Sequence, residues 1–371
     1  MTDTPETKKA PAHFFKPAWQ AHREILVFGV VFSALSMVYT LLLGTPLAEC
    51  IVLVYGLMGI FAAVYAFLGA AYGIIYLREF ARCLHAQKNL IRAFLDAGDI
   101  TGKRAGAYVS GPVFAYGMMG LVAILPVIFL LAYKSLVPFV HPYAWDQVFS
   151  SWDYALHFGH YPSEIIGSFI DSMNAGKVMD LTYGSWFVAM FGTCGFVLFI
   201  DRQVHRRMRF VWSFLLAWII GGCLMAEWLS CVGPLFYHQF YPDMADIYKP
   251  LVDRLTRVDA EQGLAVFSHR QLIVDWTLND RHIDPNTLAA MPSIHVWIAW
   301  LMMLYWREVS PRLFVLSLIF CTMIFMSTVY LGIHYAVDGY ASIALMTPMW
   351  WIIGRLLDRR YSRIERLADA P

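Results

Sequence analysis

Charged side chains are scarce in this 371-residue chain, at 15%, whereas hydrophobic residues make up 59%. Soluble domains carry about a quarter charged residues, so a soluble core cannot bury this apolar surplus. Five stretches contain no Asp, Glu, Lys or Arg: Ile25–Gly44, Ile51–Leu77, Ala105–Tyr133, Leu181–Ile200 and Leu313–Val337. Each has at least the ~20 residues that a helix needs to cross a bilayer. The sequence therefore predicts an all-α, polytopic membrane protein and excludes soluble, fibrous, disordered and disulfide-stapled classes.

Metal-binding patterns are also missing. The six cysteines show no metal-ligand spacing, and no His-Glu-x-x-His motif is present. Most of the cysteines fall inside apolar stretches, where they act as small apolar residues. The cysteines therefore give no sign of a metal site, and no cofactor is predicted.

Three further stretches are less apolar: Phe210–Val232, Ser293–Tyr305 and Tyr335–Gly354. With them the sequence predicts about eight membrane spans, which places both termini on the same side of the membrane. Of the 28 Lys and Arg residues, only seven fall on the other side: Lys134, Lys177, Lys249, Arg254, Arg257, Arg270 and Arg281. Because cytoplasmic loops carry the excess of positive charge, the sequence predicts cytoplasmic termini.

The chain divides by composition into four parts: a tail (1–24), a four-span region (25–200), a C-terminal membrane domain (201–358) and a second tail (359–371). The polar, proline-containing first tail is predicted to be cytoplasmic and not a cleaved signal. Arg78–Arg104 has apolar residues at helical spacing and predicts an amphipathic cytoplasmic helix. The aromatic segment 141–166 favours an interfacial anchor over a substrate site. The outer loops are expected to be helical.

Two clusters of polar residues lie at the predicted outer boundary. Met291–His295 opens the sixth span, and Ser327–Asp338 joins the seventh to the eighth. The chain between His295 and His334 runs inward and returns, with legs of roughly 20 residues, or about 30 Å. Both histidines are therefore predicted to reach the same face. Asp338 follows His334 by one helical turn, the geometry of a carboxylate that orients an imidazole through one ring nitrogen.

These motifs resemble a known family. Pro292-Ser293-x-His295, followed by Ser327-x(6)-His334-x(3)-Asp338, is similar to the paired signature motifs of the type 2 phosphatidic acid phosphatase superfamily. The closer likeness is to its inositol-phosphorylceramide synthases and their bacterial relatives, where the second motif resembles Tyr330–Asp338 here. A Gly-Pro-x-x-Tyr element at Gly233–Tyr237 is also similar. The resemblance covers roughly Phe210–Leu357.

The resemblance implies metal-independent phosphoryl transfer. His334 would attack phosphorus, Asp338 would hold its ring, and His295 would protonate the leaving oxygen and then activate the acceptor. Ser293 and Ser327 would donate hydrogen bonds to phosphate oxygens, and Tyr237 would contact the substrate. Such chemistry needs positive charge, for which five outer-loop cations are candidates: Lys249, Arg254, Arg257, Arg270 and Arg281.

Two departures from the family pattern leave alternatives open. Thr328 stands where many family phosphatases have arginine, as in the synthase branch, and the Lys-x(6)-Arg-Pro motif is absent. A lipid phosphatase or phosphotransferase at the outer face of a bacterial inner membrane is the leading hypothesis, with an inositol-phosphate-type head-group transferase as an alternative. Its partners would be a lipid phosphate substrate and membrane lipids, not nucleic acid. The lipid, its head group, the acceptor and the oligomeric state stay open.

Two further classes remain possible from the residues alone. A proton-coupled transporter would use Glu227, His334 and Asp338 as a relay, since acids within membrane spans mark such pathways. A metallohydrolase would use His295, His334 and Asp338 as ligands, although three such residues are permissive and not diagnostic.

Overall fold

The computed structural model describes residues 12–42, 51–87, 89–109, 111–124, 140–279 and 288–368. Every regular element within these ranges is a helix, so the all-α prediction is confirmed for this part of the chain. The main helices are α1 (Ala12–Leu42), α2 (Ile51–Gln87), α3 (Leu90–Val109), α4 (Pro112–Ile124), α5 (Asp146–Leu156), α6 (Pro162–Ser172), α7 (Gly176–Phe199), α8 (Val204–Trp228), α9 (Lys249–Gln262), α10 (Arg270–Asn279), α11 (Ile294–Val309), α12 (Pro311–Tyr330) and α13 (Ala336–Ala368).

Four helices of the described ranges are long and apolar enough to cross a membrane: His22–Tyr39 within α1, and the whole of α7, α8 and α12. A fifth span results if α3 and Val113–Ile124, which meet at a 60° bend, count as one. Such helices characterise a membrane protein. The sixth predicted span corresponds to α11, which has only 16 residues, so its length alone does not identify it as a span.

The predicted amphipathic helix at Arg78–Arg104 is not one helix in the structure. Helix α2 continues to Gln87, and α3 starts at Leu90. Asn89 supplies the physical reason, because its side-chain oxygen accepts the backbone N–H of Arg92 at 3.0 Å and so caps the start of a new helix. The buried Glu79 pairs with Arg104 across the junction at 2.7 Å.

Helix α11 runs through the core of the helical bundle. Trp297, Leu301 and Tyr305 are almost completely buried between residues of α7, α8, α12 and α13. Ser310 lies between α11 and α12, and Pro311 is the first residue of α12. Proline is favoured at the first position of a helix because it lacks an N–H group. The reversal brings the end of α12 back to the level at which α11 begins.

Polar contacts stabilise the C-terminal end of α11. Asp201 binds Arg206 at 2.7 Å and accepts the hydroxyl of Tyr305 at 2.7 Å, while Arg209 binds Glu308 at 2.6 Å. Arg209 is largely buried. Part of the positive charge that predicts a cytoplasmic loop at Arg202–Arg209 is therefore used in tertiary ion pairs.

A second apolar cluster covers the end of the bundle where α12 ends and α13 begins. It joins Phe149 of α5 and Ile170 of α6 to Leu251 of α9, with Leu331 and Tyr335 between them. The segment that contains the second histidine motif thus lies between the apolar helices and an outer helical layer.

Candidate active site

The turn between α12 and α13 places His334. Its backbone N–H and that of Ile333 donate to the carbonyl of Thr328 at 3.3 and 3.0 Å, which closes the end of α12. Gly332 has a φ of +70°, a left-handed conformation that glycine adopts without steric cost. We call residues Leu331–Asp338 the catalytic loop, after the role proposed for it below.

The side chain of His334 is held through its Nδ1 atom. Nδ1 lies 2.7 Å from the backbone oxygen of Ala290 and 3.4 Å from the nearer carboxylate oxygen of Asp338. A carbonyl oxygen can only accept, so Nδ1 carries the proton and the lone pair lies on Nε2. The resemblance assigns the orienting role to Asp338, but the closer acceptor is a backbone carbonyl, which leaves no signal in a sequence.

Asp338 is completely buried and links the two motifs. Its Oδ2 accepts the N–H of Tyr335 at 2.9 Å, and its backbone oxygen accepts the N–H of Ser293 at 3.4 Å. The hydroxyl of Ser342 contacts the carbonyls of both Ser293 and Asp338, at 2.9 and 2.7 Å. Oδ1 of Asp338 is buried without a hydrogen-bond partner among the described residues.

His295 lies in the first turn of α11, opposite His334. The two ring centroids are 5.7 Å apart with an interplanar angle of 60°. Helix α7 supports His295, since the rings of Tyr183 and Trp186 lie 4.5 and 4.6 Å from it. The indole N–H of Trp186 donates to the backbone oxygen of His295 at 3.0 Å. The structure thus brings the two histidines together and adds aromatic neighbours from a helix outside the predicted C-terminal domain.

The two serines of the motifs are both fully buried. Ser293 is the N-cap of α11, and its side-chain oxygen accepts the N–H of Val296 at 3.4 Å; its hydroxyl proton can still be donated. Ser327 instead donates to the carbonyl of Ile324 at 2.9 Å, one turn back in α12. Thr328 does the same with Phe325 at 2.8 Å.

Arg254 is the candidate cation that the structure places beside the catalytic loop. Its Nη2 donates to the carbonyl of Tyr330 at 2.7 Å, and its guanidinium lies 4.4 Å from the centre of the Tyr330 ring. Asp171 lies 3.5 Å from Nη1. The contact with Tyr330, four residues before His334 in the chain, brings positive charge to this region.

The other candidates occupy different surroundings. Lys249 bonds to Asp253 one turn along α9, Arg257 is exposed, and Arg270 lies over the ring of Phe267 at 3.6 Å. Arg281 lies outside the described residues.

Tyr237 is buried among other tyrosines. Its ring centroid is 4.9 Å from that of Tyr241 and 5.2 Å from that of Tyr248. Burial raises the pKa of the Tyr237 hydroxyl to about 12, so it stays protonated at neutral pH. Tyr237 therefore packs within the second apolar cluster.

The Gly-Pro-x-x-Tyr element lies directly against the catalytic loop. Gly233 has a φ of +89°, and a Cβ atom there would lie 2.5 Å from the backbone oxygen of Ile333. Leu235 donates its N–H to the carbonyl of Gly332 at 2.7 Å. Glycine is therefore required at position 233 for both conformation and space.

Two aspartates of α5 also hold the loop, and the sequence analysis missed them. Asp146 accepts the hydroxyl of Tyr335 at 2.8 Å and the N–H of Gly233 at 3.0 Å. Asp153 accepts the N–H groups of Ala336 and Val337 at 2.8 and 2.9 Å. Burial raises the pKa of both carboxyls, that of Asp153 to about 6. Their spacing of seven residues on one helix face was an available signal, hidden in an aromatic segment interpreted as an anchor.

The transporter alternative depends on Glu227, and the metallohydrolase alternative depends on side chains that could bind a metal ion. Glu227 accepts the hydroxyl of Tyr39 at 3.1 Å and lies 3.5 Å from Nε2 of His141. Within the described ranges, no three His, Cys, Asp or Glu side chains are arranged to hold a metal ion.

The model of the PAP2 superfamily, the type 2 phosphatidic acid phosphatases, matches residues 147–352, more than half of the chain. The chain therefore belongs to the PAP2 superfamily, whose members are generally phosphatases or phosphotransferases, and an enzyme acting on phosphoric esters is supported. No curated protein and no solved structure matches it. The match starts within α5, well before Phe210, and so includes the helices that carry Asp153, Tyr183 and Trp186.

Proposed function

We propose that the chain is a membrane-embedded lipid phosphatase or phosphotransferase that works through a phosphohistidine on His334. The observation that carries the proposal is the 2.7 Å contact between Nδ1 of His334 and the oxygen of Ala290, with the ring of His295 5.7 Å away. This arrangement leaves the lone pair on Nε2, the nitrogen that would attack. It also puts an acid or base within reach of the same phosphoryl group.

The reaction has two balanced steps. Nε2 of His334 bonds to phosphorus while the bond from phosphorus to the ester oxygen breaks, and protonated His295 gives its proton to that oxygen. Neutral His295 then takes a proton from water or a second hydroxyl, whose oxygen bonds to phosphorus as the nitrogen–phosphorus bond breaks. Both histidines return to their starting states. The route uses no metal ion.

Charge stabilisation falls to the groups around the two rings. Asp338, 3.4 Å from Nδ1, stabilises the positive charge that His334 acquires when Nε2 bonds to phosphorus. The hydroxyl of Ser293 donates to a phosphate oxygen. Arg254, which bonds to the carbonyl of Tyr330 four residues before His334, supplies positive charge. Such fixed charges and dipoles carry most of the catalysis in phosphoryl transfer.

The membrane arrangement completes the proposal. Eight spans place both termini in the cytoplasm and the histidines at the outer face of a bacterial inner membrane, where a lipid enters sideways from the bilayer. The C-terminal membrane domain holds the reacting groups, and α3 lies along the cytoplasmic surface with Ile91 and Phe94, both exposed, in contact with lipid. The four-part division of the chain is otherwise kept.

A head-group transferase of the inositol-phosphorylceramide type is favoured by one observation. Thr328, at the position of the arginine in many family phosphatases, donates to a carbonyl of its own helix at 2.8 Å and brings no charge. The synthase branch has the same residue type there, so transfer to a lipid hydroxyl is the variant of the reaction that this position supports.

A substrate panel tests the function. Purified protein is incubated with phosphatidic acid, lipid pyrophosphates and phosphoinositides, each with and without a lipid alcohol, while free phosphate and new lipid are measured. Turnover of at least one of them, with acid-labile ³²P on wild-type protein and none on His334→Ala, is expected. Failure to turn over any of them, or label that persists in His334→Ala, contradicts the proposal.

A further inference from the structure

Helix α5 contributes two buried carboxylates to a loop that lies far away in the sequence. Asp153 is 183 residues from Ala336, yet its two oxygens accept the first two N–H groups of α13 at 2.8 and 2.9 Å. Those N–H groups have no partner within their own helix. A carboxylate on another helix thus caps the helix that carries Asp338.

Asp146 acts on the other side of the same loop. Its carboxylate accepts N–H groups of Val232 and Gly233 and the hydroxyls of Tyr241 and Tyr335, all between 2.8 and 3.0 Å. It therefore joins the loop to the Gly-Pro element that packs on Ile333. His334 lies directly between the two residues, Ile333 and Tyr335, that these contacts hold.

We propose that Asp153, assisted by Asp146, is a positioning residue that fixes the catalytic loop so that His334 and Asp338 face His295 in the reactive geometry. The inference rests on the proposed function and adds a requirement to it. In this role Asp153 touches neither phosphate nor the rings of His295 and His334. It acts through the backbone of Ala336 and Val337, the two residues between Tyr335 and Asp338.

Its position explains why loss of the carboxylate would affect rate more than binding. Displacement of a reacting group by about 1 Å can cost ~10²-fold in rate, and two charge-assisted hydrogen bonds restrict such displacement. The raised pKa of the buried Asp153 carboxyl, about 6, still leaves it mostly ionised at neutral pH, as the two N–H donors require.

Asp180 provides a matched control. This buried aspartate of α7 also accepts two successive backbone N–H groups, those of Ala265 and Val266, at 3.1 and 3.0 Å. It therefore makes the same kind of contact in the outer layer without touching the catalytic loop. Asp180 also pairs with Lys177 at 3.1 Å. Asp180→Asn therefore alters the same kind of backbone contact plus one ion pair, and only Asp153→Asn concerns the catalytic loop.

The experiment compares the two variants by single-turnover labelling with ³²P-phosphatidic acid and ³²P-phosphatidylinositol in mixed micelles. For Asp153→Asn we expect at least a ~10-fold slower rate of phosphohistidine formation with KM within about twofold of wild type. Asp180→Asn should keep the wild-type rate within about twofold. Thermal unfolding in detergent is measured for both, and the carboxylate-retaining variants Asp153→Glu and Asp180→Glu replace them if either Asn variant is not recovered folded.

The outcomes separate the two proposals. Equal rates of labelling in the Asp153 and Asp180 variants, or a change in KM alone, would overturn the positioning role while leaving the phosphohistidine intact. Wild-type protein that never forms acid-labile label on His334 would instead overturn the proposed function itself.

Discussion

Nδ1 of His334 donates to the backbone carbonyl of Ala290 at 2.7 Å. The contact joins the two signature motifs. Ala290 directly precedes the first motif, which lies in Met291–His295, and His334 belongs to the second. It also makes the tautomer of His334 independent of any single carboxylate, since no side-chain substitution removes a backbone oxygen.

Asp338→Asn should therefore impair the reaction without abolishing the intermediate. When a carboxylate is the sole group that fixes a histidine tautomer, its loss costs ~10⁴-fold; here we expect a loss of kcat nearer ~10²-fold, which reflects lost charge stabilisation. Slow labelling of His334 should persist. Asp180→Asn, which alters a carboxylate bonded to the N–H groups of Ala265 and Val266 outside the catalytic loop, serves as the control and should change kcat by less than about tenfold. A complete loss of label in Asp338→Asn would show that Asp338, not Ala290, sets the tautomer.

His295→Ala should separate the two chemical steps. With an aryl phosphate the leaving group needs no proton, so the intermediate should form, while its breakdown lacks a base and slows by ~10²–10⁴-fold. Labelled His334 should accumulate, measured by acid-labile ³²P after a chase with unlabelled substrate. His269→Ala changes an exposed histidine whose Nδ1 contacts the backbone oxygen of Ala265 at 2.6 Å, and it should leave the chase unaffected. Label on His295 in the wild type would reverse the two roles.

Gly233→Ala should disrupt the site more than the loss of a left-handed glycine conformation alone would. Both Gly233 and Gly263 have positive φ values, +89° and +67°, but only at Gly233 would a Cβ meet another atom, 2.5 Å from the oxygen of Ile333. Backbone strain costs about 1–3 kcal/mol at either position. We therefore expect Gly263→Ala to lower only thermal stability, whereas Gly233→Ala also lowers kcat by at least ~10-fold. Equal kcat values in the two variants would refute the contact with the catalytic loop.

The titration of Asp153 should appear in the pH dependence of stability. Burial raises the pKa of its carboxyl from 3.8 to about 6, so the folded state holds the proton more tightly than the unfolded chain. This contribution is fully present below about pH 4 and is lost as the pH rises through 6. The negative charge of Asp338 on α13 adds to this rise in the pKa of Asp153, whereas His157, which directly follows α5, lowers that pKa. The free energy of unfolding is measured for wild type and Asp153→Asn in detergent from pH 4 to 7. The wild-type value minus the variant value should decrease as the pH rises, by at most about 3 kcal/mol; a constant difference would contradict the raised pKa.

The topology is tested by single cysteines in a background without the native ones. Thr256 in α9 and Arg202 before α8 are both exposed and are predicted to face opposite sides. A membrane-impermeant maleimide should label Thr256→Cys in intact spheroplasts and Arg202→Cys only after permeabilisation. Labelling of both from one side would remove the shared outer face on which the site depends.

Helix content and the meeting of the two histidines follow from simple sequence rules. Charge-free stretches identify apolar helices, and the two legs between His295 and His334 are helices of similar length, 16 and 20 residues, so a single reversal at Pro311 returns the chain near its starting level. The i, i+4 spacing places Asp338 near His334 as well, at 3.4 Å.

The contacts that hold His334 and the catalytic loop could not be predicted by such rules, because they join distant segments through the backbone. The oxygen of Ala290 is 44 residues from His334, and any residue type would supply it. Asp153 and Asp146 lie in a segment whose aromatic residues predict an interfacial anchor; their carboxylates face inward, while Trp152 on the same helix is exposed. Charge in the outer loop predicts phosphate binding at five positions, yet only tertiary packing distinguishes Arg254 from Lys249.

The contacts of the catalytic loop also set an order of events during synthesis. Its partners lie on α5, near Gly233 and at Ala290, and Asp153 pairs with a residue 183 positions later, so none of the early segments meets the loop until α13 has been made. Contacts of such long sequence separation form late. A chain that is still being inserted thus holds both α5 carboxylates and His295 without an assembled nucleophile. The proposed site is therefore complete only once the start of α13 has docked against α5.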